Sequence, residues 1–342
     1  MNNNIKIGGE FEINPFTLKG FEEFNVENSV VQFSSGRSAL NAILLHLSDK
    51  VNSVIYVPYY ICHSVVQACM NANFEIRYYE LNDDFKFPIK TLENITYNSC
   101  ILSVNYFGFI GDNDLIDEIK AKRPDITILG DHVQSFWTCQ FSKADYSFTS
   151  LRKHFAISDG ALVYKKGRLW ISDKNYSINS FSDKKILGSF LKNIKVNDSI
   201  YLKMFSDGEQ LLDVEKTPTF SSDISKFLFD KLDLKFISGK KQENYEFLHE
   251  YGEKNGLEFI FPFNSKNIPL CVPIVVKNRN SLRRELVKNN IYLPIHWQIS
   301  NFNKISSKAS WLSKNEISLV IDQRYNIEDM RYQLDLLVKY IR

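Results

Sequence analysis

With 342 residues, the chain is long enough for one large α/β unit or for a large unit joined to a small one. Its 42 Lys and Arg against 40 Asp and Glu leave a formal charge of +2, so there is no basic field to attract nucleic acid or an anionic membrane, and a small-molecule substrate fits better. The five cysteines, Cys62, Cys69, Cys100, Cys139 and Cys271, form neither CxxC pairs nor a dense framework, which points to a reducing cytoplasm. No apolar run reaches the roughly 18 residues of a membrane span. The start MNNNIKIGGEFEI lacks the charged-then-apolar layout of a signal peptide.

Short β-branched runs then alternate with helical patterns, the signature of a mostly parallel sheet covered by crossover helices. Strands are expected at Val54–Val57, Glu75–Tyr79, Ile101–Tyr106, Ile126–Leu129 and Ala161–Tyr164. Leu40, Ile43, Leu44 and Leu47 recur at helical spacing within Ser38–Leu47, and Leu115–Ala121 gives a shorter amphipathic piece before Pro124. The segment Gly167–Thr217 is rich in Ser, Asp, Asn and Lys, which suits loops, with a helix possible only at Ile186–Ile194; its geometry stays open. From Ser222 a long helical region runs to the breaks at Gly252 and Gly256. Strands near Leu257–Ile260 and Cys271–Val276, a helix over Ser281–Asn289, a strand at Ile291–Leu293 and a last helix over Ile327–Ile341 complete the chain. The pattern predicts a large α/β unit over residues 1–240 and a smaller α+β unit over residues 241–342.

The chemistry concentrates in ILGDHVQS, residues 128–135, and in SFTSLRKHFAISDGALVY, residues 147–164. An apolar strand delivers Asp131 to its carboxyl end, the edge at which open α/β sheets bind ligands. A carboxylate there can keep a pyridine nitrogen protonated, making the ring an electron sink. Lys153 supplies an amine able to form a Schiff base and, once released, to move a proton. SSGRSAL, residues 34–40, opens a helix in the manner of an anion site: Gly36 allows close approach, the Arg37 and Ser38 amides face a phosphate, and the Ser38 hydroxyl adds a bond.

In order and spacing over nearly the whole chain, these segments resemble the DegT/DnrJ/EryC1/StrS sugar aminotransferases, fold-type-I pyridoxal-phosphate enzymes. Ser35, Gly36, Arg37, Ser38, Ala39 and Leu40 stand where members carry Ser-Gly-Thr-Ala-Ala-Leu. Asp131, His132, Val133 and Gln134 match Asp-Ala-Ala-Gln, and Lys153 precedes Asp159, Gly160 and Ala161 at the spacing of the members' Lys, acidic residue and Gly-Gly. NYFG (105–108), LPIHWQ (293–298) and IEDM (327–330) agree more loosely. The resemblance implies pyridoxal 5'-phosphate on Lys153, Asp131 at the pyridine nitrogen and Gln134 near the ring hydroxyl. It also implies transfer of an amino group, with glutamate the expected donor, to a nucleotide-linked keto-sugar in amino-sugar or surface-polysaccharide synthesis. A homodimer with the active site at its interface is implied as well, with Ser221 and Ser222 where members send a loop toward the neighbour's phosphate.

The chain also departs from the pattern, as a divergent branch would. Ser150 stands where members place His, and Ser147 is one residue off the usual phosphate serine, so Ser150 is the expected phosphate hydroxyl. Cys62 falls where many members stack an aromatic ring on the cofactor, leaving Tyr60 or His63 for that task. Arg37 in the Thr position would add charge beside the phosphate or reach the substrate. His132 and His296 are weaker candidates for contact with cofactor or substrate, and no His spacing suggests a metal. Rival readings are a dehydratase-like enzyme, whose branch replaces the Schiff-base lysine by histidine, and a cofactor-binding protein without turnover.

Overall fold

The structure, a computed structural model, describes residues 6–14, 17–18, 30–109, 111–299 and 307–341. In chain order the elements are β1 (Ile7–Gly8), α1 (Gly36–Leu47), β2 (Val54–Pro58), α2 (His63–Asn71), β3 (Glu75–Tyr79), β4 (Cys100–Val104), α3 (Asn113–Lys122), β5 (Thr127–Asp131), β6 (Tyr146–Phe148), β7 (Val163–Lys165) and β8 (Arg168–Leu169). Beyond them lie α4 (Ser182–Asn193), α5 (Asp198–Val214), α6 (Asp223–Lys231), α7 (Leu234–Lys254), β9 (Cys271–Val275), α8 (Arg279–Lys288), β10 (Ile291–Tyr292), α9 (Ser307–Asn315), β11 (Glu316–Val320) and α10 (Ile327–Ile341). Short 3-10 turns, among them Tyr106–Gly108 and Leu151–Lys153, lead out of the strands.

A seven-stranded sheet in the order β3-β2-β4-β5-β6-β7-β8 forms the larger layer. β3, β2, β4, β5 and β6 run parallel, and β7 and β8 return antiparallel at one edge. Strands buried on both faces read as unbroken apolar runs, and β2 and β4 are buried at every position. Ile43 of α1 packs with Ile55, Ile101 and Ile128 in the core around this sheet. A second core gathers Val272, Ile274, Leu286, Ile317, Leu319, Met330 and Leu334, and takes in Ile7 from the far end of the chain and Tyr245 and Leu248 from α7. β9 pairs antiparallel with β11, while β1 pairs parallel with β10. Among the described residues no helix is long and apolar enough to cross a membrane.

The expected strands and helices are present with ends shifted by a few residues, but several features differ from the sequence reading. The region expected as one long helix from Ser222 is two, because Leu232 and Asp233 leave helical geometry and Asp233 caps α7 through Phe236 N at 3.0 Å. Near Leu257–Ile260 there is only the bridge Phe259–Ile274. The open segment 167–217 contains two packed helices, α4 and α5. Small residues let their backbones approach: a Cβ on Gly208 would lie 2.8 Å from Lys185 Cγ, and one on Gly188 would lie 3.2 Å from Met204 Cβ.

An ion network fastens that helix pair to the lysine-bearing loop. Glu209 of α5 accepts from Arg152 at 2.7 Å and from Lys185 of α4. Burial pulls its carboxyl up, but the Arg152 and Lys185 cations outweigh burial and hold it at about 2. Lys185 has only 4% of its side chain exposed against 38% for Glu209, so removing the carboxylate strands a buried cation while the acid itself is partly screened. Glu209→Ala is expected to destabilise the protein by about 2 kcal/mol at neutral pH, read by urea unfolding. A group with a depressed pKa stabilises above its unfolded value of roughly 4.3. The difference between variant and wild type should therefore shrink as pH falls toward about 2.

Candidate active site

Parallel pairing carries Asp131 to the carboxyl edge of β5, between Val104 of β4 and Phe148 of β6. The backbone is held on both sides, Asn105 N donating to Asp131 O at 3.0 Å and His132 N to Phe148 O at 2.8 Å. The Asp131 carboxylate is buried, accepts from Val133 N at 2.9 Å, and has no cation paired with it among the described residues. Burial raises its pKa to about 6, against the smaller opposing effect of the Val133 amide. Gln134, also buried, accepts from Phe107 N at 2.8 Å through Oε1. It thereby holds the turn after β4 against the turn after β5.

The start of α1 meets the same loops. A Cβ on Gly36 would lie 2.7 Å from Val133 Cγ2, 3.6 Å from Ser150 Cβ and 3.7 Å from Thr149 O, so glycine is what lets the helix end seat against both segments. Gly160 N donates to Ser34 O and Ala161 N to Phe33 O, each at 2.7 Å. Thr149 N to Leu162 O and Leu151 N to Gly160 O then close the loop that carries Lys153. Gly160 has φ +122°, a conformation side chains rarely adopt, and a Cβ there would lie 2.9 Å from Leu151 Cδ1. SSGRSAL, DHVQS and SFTSLRK thus converge on one place. Ser150 is buried there, and Lys153 is exposed with its amine bonded to no described residue.

Other expected residues are engaged differently. Ser38 Oγ donates to Thr219 O and accepts from Thr219 N, both at 2.8 Å, and Ser38 N donates to Ser35 Oγ at 3.1 Å. These bonds occupy the hydroxyl and amide expected to meet a phosphate; at the helix end the Gly36 and Arg37 amides have no intrahelical acceptor. The Arg37 guanidinium binds Leu212 O at 3.0 Å and Asp213 at 2.9 Å, which gives it structural partners in place of the expected phosphate or substrate. Tyr60 is 1% exposed, its ring stacked on Tyr106 at 5.7 Å and tilted against Trp297 at 5.3 Å. Its face is therefore already covered, whereas His63 is exposed at the first position of α2. Ser147 donates to Cys139 O and His132 pairs with Ser135, both structural bonds. Ser221 donates to Val31 O, and Ser222 caps α6 and donates to Asp159, so both hydroxyls expected to serve a neighbour are turned inward.

Sequence reasoning missed several groups here. Thr149 beside Gly36 has a buried Oγ1 with no hydrogen-bond partner among the described residues; the run SFTS was its only signal. His154 is buried, and its Nε2–H donates to Val133 O at 3.1 Å. Burial, then the Lys241 charge, lowers its pKa well below the ordinary value, which suits a neutral structural ring. Lys241 itself is buried, with a single long bond of 3.4 Å to Leu270 O, and burial lowers its pKa to about 8. No group of three or more His, Cys, Asp or Glu side chains is placed to hold a metal among the described residues.

No protein-family model matches this sequence, and no curated protein matches it. Solved structures do. A DegT DnrJ EryC1 StrS aminotransferase from Brucella abortus is 12% identical with a TM-score of 0.61, the match covering 91% of this chain and 85% of that one. PseC of Helicobacter pylori, an aminotransferase involved in the biosynthesis of pseudoaminic acid, is 15% identical with a TM-score of 0.64, over 91% and 86%. The chain has their fold. NtdA of Bacillus subtilis, solved with bound cofactor PMP, adds a third likeness at 14% identity and a TM-score of 0.62, over 90% and 73%. The fold-type-I architecture expected from the sequence is thus the observed one.

An acid whose folded-state pKa is raised contributes its full stability below its unfolded value of roughly 3.9, and that contribution is lost as pH rises through about 6. Asp131→Asn mimics the neutral acid and keeps an acceptor for the Val133 amide. In the ligand-free protein it is expected to add about 2 kcal/mol of stability at pH 7.5 and little at pH 4, read by urea titration at both values. An equal change at the two pH values would contradict the burial argument.

Proposed function

We propose that this protein is a pyridoxal-phosphate-dependent aminotransferase that moves an amino group from an amino acid, with glutamate as the donor, to a keto-sugar attached to a nucleotide. The observation that carries the reading is Asp131. A buried carboxylate at the ligand-binding edge of a parallel sheet, with one backbone donor and no paired cation among the described residues, suits a protonated ring nitrogen. When bound there, pyridoxal phosphate supplies a cationic ring that withdraws electrons from the substrate carbon.

This chain's residues do the rest. Lys153 Nζ would hold the cofactor and, when free, would serve as the base and acid that moves the substrate proton. Asp131 keeps the proton on the ring nitrogen, and the Gln134 amide, fixed by the Phe107 N–H, orients beside the ring hydroxyl. The Arg37 amide at the α1 terminus and the Ser150 and Thr149 hydroxyls would hold the phosphate, with Gly36 permitting the close approach. His63, rather than the covered Tyr60, is assigned the ring face.

The sugar-nucleotide class comes from the resemblance and is supported by the fold shared with sugar aminotransferases. We assign cofactor holding to a large unit of residues 1–240 and substrate closure to a smaller unit of residues 241–342, within a homodimer. With Ser221 and Ser222 bonded inward, the neighbour's contribution in such a dimer comes from other residues.

Wild type incubated with pyridoxal phosphate is expected to absorb at roughly 410–430 nm, and borohydride reduction and peptide mapping should then place the adduct on Lys153. Lys153→Ala should lose both signals, and glutamate should release 2-oxoglutarate from the loaded wild type. A wild type that takes up no cofactor overturns the reading.

A further inference from the structure

A buried chain of polar groups runs from the second core to the wall of the site and is used by none of the steps above. Glu316 opens β11 with no exposed surface, inside the otherwise apolar stretch EISLV. Its Oε2 accepts from His296 N at 2.7 Å, and its Oε1 accepts from Ser318 Oγ at 2.5 Å. Ser318 Oγ lies 2.9 Å from His296 Nδ1, whereas His296 Nδ1 is 3.9 Å from Glu316 directly. The serine therefore links ring to acid.

The next residues fix where this chain points. The His296 ring stands edge-on to Phe107 at 5.5 Å, and the Phe107 amide is the one that holds Gln134. Trp297 packs on Tyr60 at 5.3 Å. Arg279 is buried and donates to Glu316 O at 3.0 Å and Ser313 O at 2.8 Å, which places a guanidinium close to the Glu316 charge. Among the described residues Tyr60, Cys271 and Arg279 are the other titratable groups facing this cluster; the Cys271 thiol also hydrogen-bonds Ser318, whose second lone pair remains for the ring. Of the His296 side chain 11% stays exposed, and Nε2 bonds no described residue.

A serine has one proton to give. With Glu316 ionised beside Arg279, Ser318 donates to the carboxylate, the shorter contact, and must accept from the ring, so Nδ1 carries hydrogen and Nε2 keeps its lone pair. With Glu316 protonated on Oε1 the two bonds of Ser318 reverse while the His296 amide still donates to Oε2, and the ring hydrogen sits on Nε2. Without any partner, histidine has no structural reason to stay in the Nδ1–H form.

We propose that Glu316 and Ser318 are positioning residues that lock His296 as the Nδ1–H tautomer, presenting Nε2 as a hydrogen-bond acceptor for a hydroxyl of the sugar acceptor. The substrate part of this assignment rests on the aminotransferase reading; the tautomer does not. The device gives the site an acceptor of fixed direction, which selects a donor group on the ligand and disfavours one that offers only a lone pair.

The test is nitrogen-15 NMR of the ligand-free, histidine-labelled full chain at pH 8, the His296 signal being assigned by its loss in His296→Asn. Hydrogen on Nδ1 is expected in wild type. Ser318→Ala and Glu316→Gln should each move a major part of the population to Nε2–H. In loaded enzyme, Ser318→Ala should raise the KM for the sugar acceptor about tenfold while the glutamate half-reaction keeps its rate. Hydrogen on Nε2 in wild type overturns the proposal, as does a tautomer unmoved in both variants, and neither result touches the mapping of the adduct to Lys153. A shifted tautomer with unchanged KM overturns the assignment of Nε2 to the acceptor. Failure of wild type to take up cofactor leaves the tautomer result standing.

Discussion

The buried carboxylate of Asp159 is the constraint on which the site depends. It accepts from Ser222 N at 2.7 Å, Ser222 Oγ at 2.8 Å, Asn179 Nδ2 at 2.6 Å and Ser158 Oγ at 3.2 Å. No cation pairs with it among the described residues. Neutral donors from the neighbouring Ser158 and from two distant segments replace its lost hydration, and burial still raises its pKa. Because a buried acid is costly unless every donor is in place, the end of the lysine loop, the approach to α4 and the start of α6 are fixed together. Residues 33–34 then bond to Gly160 and Ala161, which seats α1 beside that loop. The helix terminus and the lysine arrive at one place because this acid requires it.

Asp131 shows the opposite treatment of the same chemical group. Among the described residues Asp159 accepts the four bonds above, whereas Asp131 accepts one, from Val133 N. The contrast separates an acid whose bonds are met within the fold from one that is left under-bonded, and an under-bonded buried carboxylate is what the proposed cofactor role of Asp131 calls for. In the neighbouring strand and turns, Ser147, His132 Nδ1 and His154 Nε2 make structural bonds, while His132 Nε2 and His154 Nδ1 have no partner among the described residues. Lys153 alone in this group extends an amine with no described partner.

The later part of the chain reaches the candidate site through a few defined contacts. Gln323 Nε2 donates to His154 O at 3.1 Å, Leu270 N to Phe107 O at 2.8 Å, and Trp297 covers Tyr60. Each joins a residue of the later half to a turn at the carboxyl edge of the large sheet. A seam of this kind, apolar in its rings and polar at its rim, is a suitable place for a ligand to be enclosed and water excluded. Phe85, Phe107, Phe109 and Phe261 line it with ring contacts between 4.9 and 6.1 Å.

By itself the sequence determined the large parallel sheet, most of its strands, the last helix and the three segments that the fold brings together at the candidate site. These rest on local signals: unbroken apolar runs, helical periodicity, and glycine and charged residues at loop positions. Tertiary structure decided what each polar side chain does. Ser38 and Arg37 sit in a loop that reads as an anion site, yet Thr219 and Asp213, far along the chain, claim their donors. β6 is three residues long, too short for any period to register, and in β11 the buried Glu316 and Ser318 interrupt the apolar pattern that would have marked a strand. The helices α4 and α5 carry exposed apolar residues such as Phe190 and Leu202 among many Ser, Asp, Asn and Lys residues, so their patterns blur, and Gly188 and Gly208 are packing surfaces between them. Hydrogen-bond partners separated by tens to hundreds of residues leave no local trace, because the geometry that pairs them exists only after the chain has folded.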